Sequence, residues 1–421
     1  MLQNSAKNFV DNIEKKLYLS IQEYNHSVTS KLEKVLNAFS NCNLNVQHFA
    51  SSTGYGHGDI GRNIIDKIFA DVLEAEKAAV RLQLVSGTHA IASSLFGVLR
   101  PGDNFLSITG RPYESLEEVI GLRGIGQGSL IEFGVSYEEI SLKSDGSIDF
   151  FALEKALKIP RKVIFIQRSC GYTWRPSLSI EVIKDICFLC HKNQPDCICF
   201  VDNCYGEFVE TQEPTAVGAD LIAGSLIKNL GGTIVPTGGY IAGKSDLVEK
   251  ACCRLTSPGI GSEGGITFNL NRTILQGLFL APQMVTESLV GAEIIASAFS
   301  ELGFQVMPNP GSIRSDLIQV VRIGNPKILQ MICRSFQEKS PIGSFLTPIP
   351  SQMPGYSNDL VMAGGTFVDG STSEFSADAP MKPPFDLFIQ GGSHRSHVKI
   401  ALIHALSNLF QAGFIKLPQN G

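Results

Sequence analysis

Apolar residues recur at helical spacing through residues 5–40, with Phe9, Ile13, Leu17 and Ile21 on one stripe. This predicts a long N-terminal helical arm. A second helix is expected over 59–79, running into a strand at Val80–Val85. A small-residue turn at Ser86 then opens an apolar helix that reaches Leu99. Further short apolar runs, the pattern of strands buried on both faces, fall at 104–108, 129–133, 162–166, 197–201, 219–224 and 238–242. Strands that alternate with helices predict a mostly parallel sheet with right-handed crossovers. A long helix over 269–299 leads to a C-terminal part with strands at 304–307, 316–322 and 361–367 and helices at 325–337 and 395–412. The expected organisation is an arm and loop (1–60), a large domain (61–268) and a small domain (269–421). The stretch Ser340–Asn358 is rich in Pro, Gly and Ser and long for a structureless loop, so a functional or interfacial role is expected there.

Composition narrows the class. Of 421 residues, 43% are hydrophobic and 18% charged, the balance of a well-buried enzyme. The net charge is -5 and the basic residues are scattered, so no nucleic-acid surface is expected. No 18-residue apolar span is apparent, and the first residues lack the pattern of a secretory signal. A cytoplasmic location is therefore expected, with the ten cysteines reduced. Cys187-x-x-Cys190-His191 matches a haem-attachment pattern, and with Cys197 and Cys199 it resembles a zinc cluster. Helical periodicity over 180–191 and alternation at 197–199 favour buried hydrophobic thiols instead, and no metal is expected. Gly56-His-Gly58-Asp-Ile-Gly61 has dinucleotide-motif spacing but no preceding strand, which argues against an NAD-type enzyme.

The chemistry concentrates at strand ends. Asp202 closes the run 197–201, and Lys228 follows the run 219–224 in a Gly/Ser-rich turn. Open α/β sheets bind ligands at that carboxyl edge. A desolvated lysine deprotonates readily and reacts with carbonyls, and an aspartate suits a protonated pyridine nitrogen. The pair points to pyridoxal 5'-phosphate on Lys228. Ser86, Gly87 and Thr88 open a helix and suit its phosphate, with Ser225 adding a hydroxyl. Tyr113 follows another strand end and suits ring stacking; Arg168 follows a third and suits a carboxylate.

In order, Leu84-Val-Ser-Gly-Thr-His-Ala-Ile91, Leu99-Arg-Pro-Gly-Asp103, Tyr113, Val201-Asp-Asn203 and Gly218-Ala-Asp-Leu-Ile with Ser225-x-x-Lys228 resemble the fold-type I enzymes of the cystathionine lyase and methionine gamma-lyase group. Gly54-Tyr-Gly, Asp59-Ile-Gly-Arg62, Gly171-Tyr-Thr-Trp-Arg-Pro176 and Pro236-Thr-Gly-Gly-Tyr-Ile-Ala242 resemble its aluminium-resistance branch more closely. The resemblance implies an α/β chain, fold-type I PLP-dependent transferase-like: a mostly parallel central sheet with helices on both faces and a smaller α+β C-terminal domain. It implies a carbon–sulfur lyase acting on cystathionine, cysteine or methionine. Lys228, Asp202 and Tyr113 would be catalytic. It also implies a homodimer or homotetramer, with Tyr55 and Arg62 reaching the neighbouring chain's phosphate. Alternatives within the fold are an aminotransferase and a non-catalytic PLP-binding regulator. The chain departs from the lyases at Ile227, and it lacks their arginine motif for the substrate carboxylate. Arg168 is the preferred replacement, and Arg395, in Gln390-Gly-Gly-Ser-His-Arg395, the second choice.

Overall fold

The N-terminal stripe forms two helices, α1 (Leu2–Lys16) and α2 (Tyr18–Asn41), hinged at Leu17. The computed structural model describes residues 2–418 apart from Pro354. Helix α1 buries Phe9, Val10 and Ile13 in the C-terminal core of its own chain, so this arm is anchored at home. Asp59 caps α3 (Ile60–Val72), its Oδ1 accepting from Arg62 N at 2.8 Å.

The large sheet then assembles. The chain runs through β1 (Lys77–Arg81), α4 (Gly87–Val98), β2 (Asn104–Ser107), α5 (Glu114–Ile120), β3 (Ser136–Glu139), α6 (Phe150–Ala156) and β4 (Val163–Gln167). It continues through α7 (Ile180–Asn193), β5 (Ile198–Asp202), β6 (Leu221–Ser225), β7 (Gly239–Gly243) and α8 (Ser245–Leu255). The strand order is β1-β7-β6-β5-β4-β2-β3. All neighbours are parallel except β7, which runs antiparallel to β1 and β6. Alternate residues of the central strands feed two cores. Phe105, Phe165 and Phe200 fill one, and Ile164, Ile166 and Val201 fill the other. Each of these side chains contributes roughly 1.5–3 kcal/mol by burial.

Two predicted strands moved. The strand expected at 80–85 lies at 77–81, because α3 ends early and Glu74 turns the chain with φ 55°. Residues 129–133 form no strand: Phe133 N bonds back to Ser129 O at 3.1 Å, and the chain turns at Gly134 (φ 81°) before β3.

The link to the small domain is α9 (Asn271–Glu301). Contrary to the sequence expectation, it is long and apolar enough to cross a membrane, yet 72% of that stretch is buried inside the protein. It also carries Glu293, paired at 3.1 Å with the buried Arg314. The small domain holds β8 (Gln305–Met307), β9 (Gln319–Arg322), α10 (Pro326–Gln337), β10 (Leu360–Ala363), β11 (Ser376–Pro380), β12 (Asp386–Gln390) and α11 (Arg395–Gln411). Its antiparallel sheet has the order β10-β11-β12-β9-β8. Part of the 340–358 stretch settles on α5, where Ser357 N donates to Glu114 Oε2 at 2.7 Å. That brings Tyr356 toward the carboxyl edge of the large sheet.

Candidate active site

Strands β5 and β6 pair in parallel, so Asp202 and the turn after Ser225 emerge side by side. Asp202 is buried, and its Oδ1 accepts from Cys204 N at 3.1 Å. Burial pushes its carboxyl up to about 6, against the opposing pull of Cys204, Lys228 and Arg175. Lys228 Nζ donates to Gly370 O at 2.7 Å and lies 5.0 Å from the Tyr205 ring centroid. Burial lowers its pKa, opposed by acidic neighbours that include Cys204, Asp378, Glu207 and Asp202. Such a lysine loses its proton more easily and becomes nucleophilic.

The turn at 86–88 faces the same edge. Ser86 Oγ accepts from His89 N at 3.1 Å and caps α4. The N–H groups of Gly87 and Thr88 sit in the first helical turn, where no intrahelical acceptor exists. A Cβ on Gly87 would stand 3.0 Å from Cys204 Sγ and 3.4 Å from Ser225 Cβ. Glycine is therefore what lets this helix start approach the ends of β5 and β6. Thr88 Oγ1 lies 3.2 Å from Tyr113 OH. Tyr113 N donates to Gln167 Oε1 at 3.2 Å, which fixes the tyrosine beside the end of β4. Burial, then the charge of Asp202, raise the Tyr113 phenol well above its ordinary value, so it keeps its proton. A small anion cradle, a buried carboxylate, a nucleophilic lysine and a protonated phenol thus share one cleft. These groups fit pyridoxal 5'-phosphate.

The predicted arginines lie elsewhere. Arg168 is fully buried, donating to Asn203 Oδ1 at 2.7 Å and Glu210 Oε1 at 3.2 Å, with Glu213 at 3.8 Å. It neutralises interior acids and does not present a fork to the cleft, which corrects its reading as the substrate-carboxylate ligand. Arg395 is corrected likewise: it clamps Glu287 of α9 from the start of α11, with Nε–Oε1 at 3.0 Å. Arg62 is also fully buried in its own chain. It donates to Gly56 O at 2.8 Å and Gly265 O at 3.2 Å, so it braces the 54–58 loop rather than reaching outward. Tyr55, on that loop, is 79% exposed.

Sequence reasoning missed the small domain's contribution. Asp378 of β11 is buried and accepts from Tyr172 OH at 2.7 Å and Gln390 Nε2 at 3.0 Å. Tyr172 in turn meets Tyr356, with ring centroids 5.7 Å apart. Glu207, behind the site, accepts from Tyr240 OH at 2.7 Å, and burial pushes its carboxyl up to about 8. At the opposite, amino edge, the thiols read as hydrophobic do gather. Ligand atoms of His191, Cys197 and Cys199 lie within 4.8 Å of one another, and His191 Nε2 is 2.8 Å from Asp220 Oδ2.

The profile of the methionine gamma-lyase family matches residues 6–410. The chain belongs to that family. Protein YnbB of Bacillus subtilis (strain 168) is 47% identical over 383 residues, covering 91% of each chain. A solved carbon–sulfur lyase involved in aluminium resistance, from Clostridium novyi NT, superposes with a TM-score of 0.92 at 44% identity, covering 96% of each chain. The pyridoxal-5'-phosphate-dependent protein YhfS of Escherichia coli shares the fold at a TM-score of 0.61 and 16% identity, over 92% of this chain and 97% of its own. Family membership fixes the fold as fold-type I and the broad class as that of the carbon–sulfur lyases.

Proposed function

We propose that this member of the family is a pyridoxal 5'-phosphate-dependent lyase that eliminates a thiol from a sulfur-containing amino acid. The observation that carries this reading is the meeting of Lys228 and Asp202 at one sheet edge, beside the helix start at Gly87. Lys228 would hold the cofactor and then move the proton of the substrate Cα. Ser86, Gly87, Thr88 and Ser225 would hold the phosphate, and Asp202 would keep a proton on the ring nitrogen. When bound, the cofactor supplies an electron sink for the carbanion character that develops as the Cα proton leaves. Tyr113 would lie beside the ring and, keeping its phenolic proton, could donate it to the departing sulfur.

The test is to supply purified protein with cystathionine, cysteine and methionine in turn. Equal amounts of 2-keto acid, ammonia and thiol are expected, with a three-carbon keto acid marking β-elimination and a four-carbon one γ-elimination. Keto acid formed without thiol, and only when an amino acceptor is added, would make the protein an aminotransferase. Full cofactor loading with no turnover would favour a regulatory role.

We further propose a homodimer, or a tetramer of dimers, in which Tyr55 is lent to the neighbouring site. In its own chain the Tyr55 ring meets His57 at 5.6 Å and otherwise stands open. A closed two-fold contact would give each site the other chain's loop. Mixed Lys228→Ala and Tyr55→Ala subunits should then recover part of the lost activity. A fully active monomer in sedimentation would refute the shared site.

A further inference from the structure

Four cysteines meet at the amino edge of the large sheet, away from the site described above. Cys187 and Cys190 stand one turn apart on α7 and share its buried face. Cys197 and Cys199 alternate at the start of β5, so both side chains leave the chain on one side. The helix packs on that side. The thiols of Cys190, Cys197 and Cys199 come within hydrogen-bonding reach of one another, and Cys187 backs Cys199. His191, next along α7, closes the group: ligand atoms of His191, Cys197 and Cys199 lie within 4.8 Å of one another. The sequence expectation of no metal rested on helix and strand periodicity. The fold keeps both periodicities but turns the two sulfur-bearing faces towards each other.

The histidine is held from behind. Its Nε2 lies 2.8 Å from Asp220 Oδ2, and that oxygen also accepts from Cys199 N at 2.7 Å. Lys244 Nζ meets the other carboxylate oxygen at 2.7 Å. With Nε2–H donated to Asp220, the ring's lone pair is left on Nδ1, which has no hydrogen-bond partner among the described residues. A carboxylate behind the imidazole is how metal-ligating histidines are oriented. Thiolate and imidazole together select zinc and similar thiophilic ions. Tetrahedral zinc, with Zn–S about 2.3 Å and Zn–N about 2.1 Å, would bring its donors to roughly 3.6–3.8 Å of one another, so the widest gap closes by about 1 Å. Cys197 also lines an open surface cavity of about 590 Å³, with Asp103, Lys158, Arg161 and Asp196, which gives an ion a way in.

We propose that Cys190, Cys197, Cys199 and His191 form a structural zinc site that staples α7 to β5 at the sheet edge opposite Lys228. Binding replaces three S–H protons, released to solvent, with three Zn–S bonds, and the imidazole enters neutral through its lone pair. The site takes no part in the lyase reading and is tested separately from it.

Cobalt(II) is the probe, because tetrahedral thiolate-bound cobalt absorbs at the red end of the visible, clear of any yellow cofactor. The full-length protein, reduced and stripped of metal by a chelator, should take up one cobalt per chain with those bands. One equivalent of zinc should bleach them, with a zinc Kd tighter than about 100 nM. Asp220→Asn, which loosens the histidine, should weaken zinc about 10–100-fold, and His191→Gln and Cys197→Ser about 100-fold or more. Cys42→Ser, a thiol outside the group, should bind like wild type. Zinc should raise the melting temperature of the wild-type protein and not that of His191→Gln. Absence of tetrahedral bands from reduced, folded wild-type protein, or bands unchanged in both His191→Gln and Cys197→Ser, would overturn the site. If Cys197→Ser fails to fold, His191→Gln decides alone, because its ring is only partly buried. A Cys190–Cys197 disulfide in protein alkylated at lysis would also overturn it, by making these redox thiols.

Discussion

Lys228→Ala is expected to abolish covalent cofactor attachment and to lower turnover roughly 10³-fold or more, the scale of a lost acid–base group together with its covalent anchor. Wild-type protein should be yellow, lose its absorbance band on borohydride reduction, and carry the reduced adduct on the peptide containing Lys228. The variant should show neither the band nor the adduct. The effect should be chemical rather than structural. Among the described residues Lys228 Nζ hydrogen-bonds only to the Gly370 carbonyl, so its removal should cost about 1 kcal/mol of stability and leave the melting temperature near that of the wild-type protein. An adduct on a different lysine, or a variant within tenfold of wild type, would remove Lys228 from the centre of the mechanism.

The large domain was legible because its central strands are buried on both faces. Runs such as Val163–Gln167 and Ile198–Asp202 are apolar at nearly every position, and helices separate them, so the parallel sheet and its carboxyl edge follow. That edge is why Lys228, Asp202, Tyr113 and Ser86 to Thr88 could be nominated together. Strand β1 was displaced because residues 75–79 are rich in alanine and read as helix, whereas pairing with β7 decides their conformation. Strand β3, Ser-Tyr-Glu-Glu, is a polar edge strand and gives no apolar signal. Strand β11, Ser-Ala-Asp-Ala-Pro, carries no run of large apolar residues and is buried through its place between β10 and β12 inside the small sheet. Missing that strand meant missing Asp378.

The arginine errors have a common cause in facing. Successive residues at a strand end point to opposite sides. Gln167 turns its side chain to the backbone of Tyr113, which leaves Arg168 to point into the interior, where Asn203 meets it in the same alternation after Asp202. Position at the right edge was visible; the side on which each residue emerges depends on register. For Arg395 the partner, Glu287, lies 108 residues earlier on α9, beyond any local pattern.

Asp202→Asn should keep the fold and the cofactor on Lys228 but lower turnover by about 10³-fold, or about 4 kcal/mol of transition-state stabilisation. The amide oxygen can still accept from Cys204 N, so the loop after β5 has no reason to move. What is lost is the charge. A carboxylate in this buried position pairs with a protonated ring nitrogen, whereas a neutral amide leaves that proton without a counter-charge. The pH profile supplies a second readout. Burial places the Asp202 carboxyl at about 6 even with Lys228 and Arg175 pulling it down, and a positive ring nitrogen would draw it lower. Wild-type turnover should therefore fall on an acid limb at or below pH 6, as the carboxylate takes up a proton. In Asp202→Asn no group titrates at that position, so that limb should vanish while the rate stays low throughout. An Asn variant within tenfold of wild type, with an unchanged acid limb, would show that Asp202 does not hold the ring nitrogen's proton.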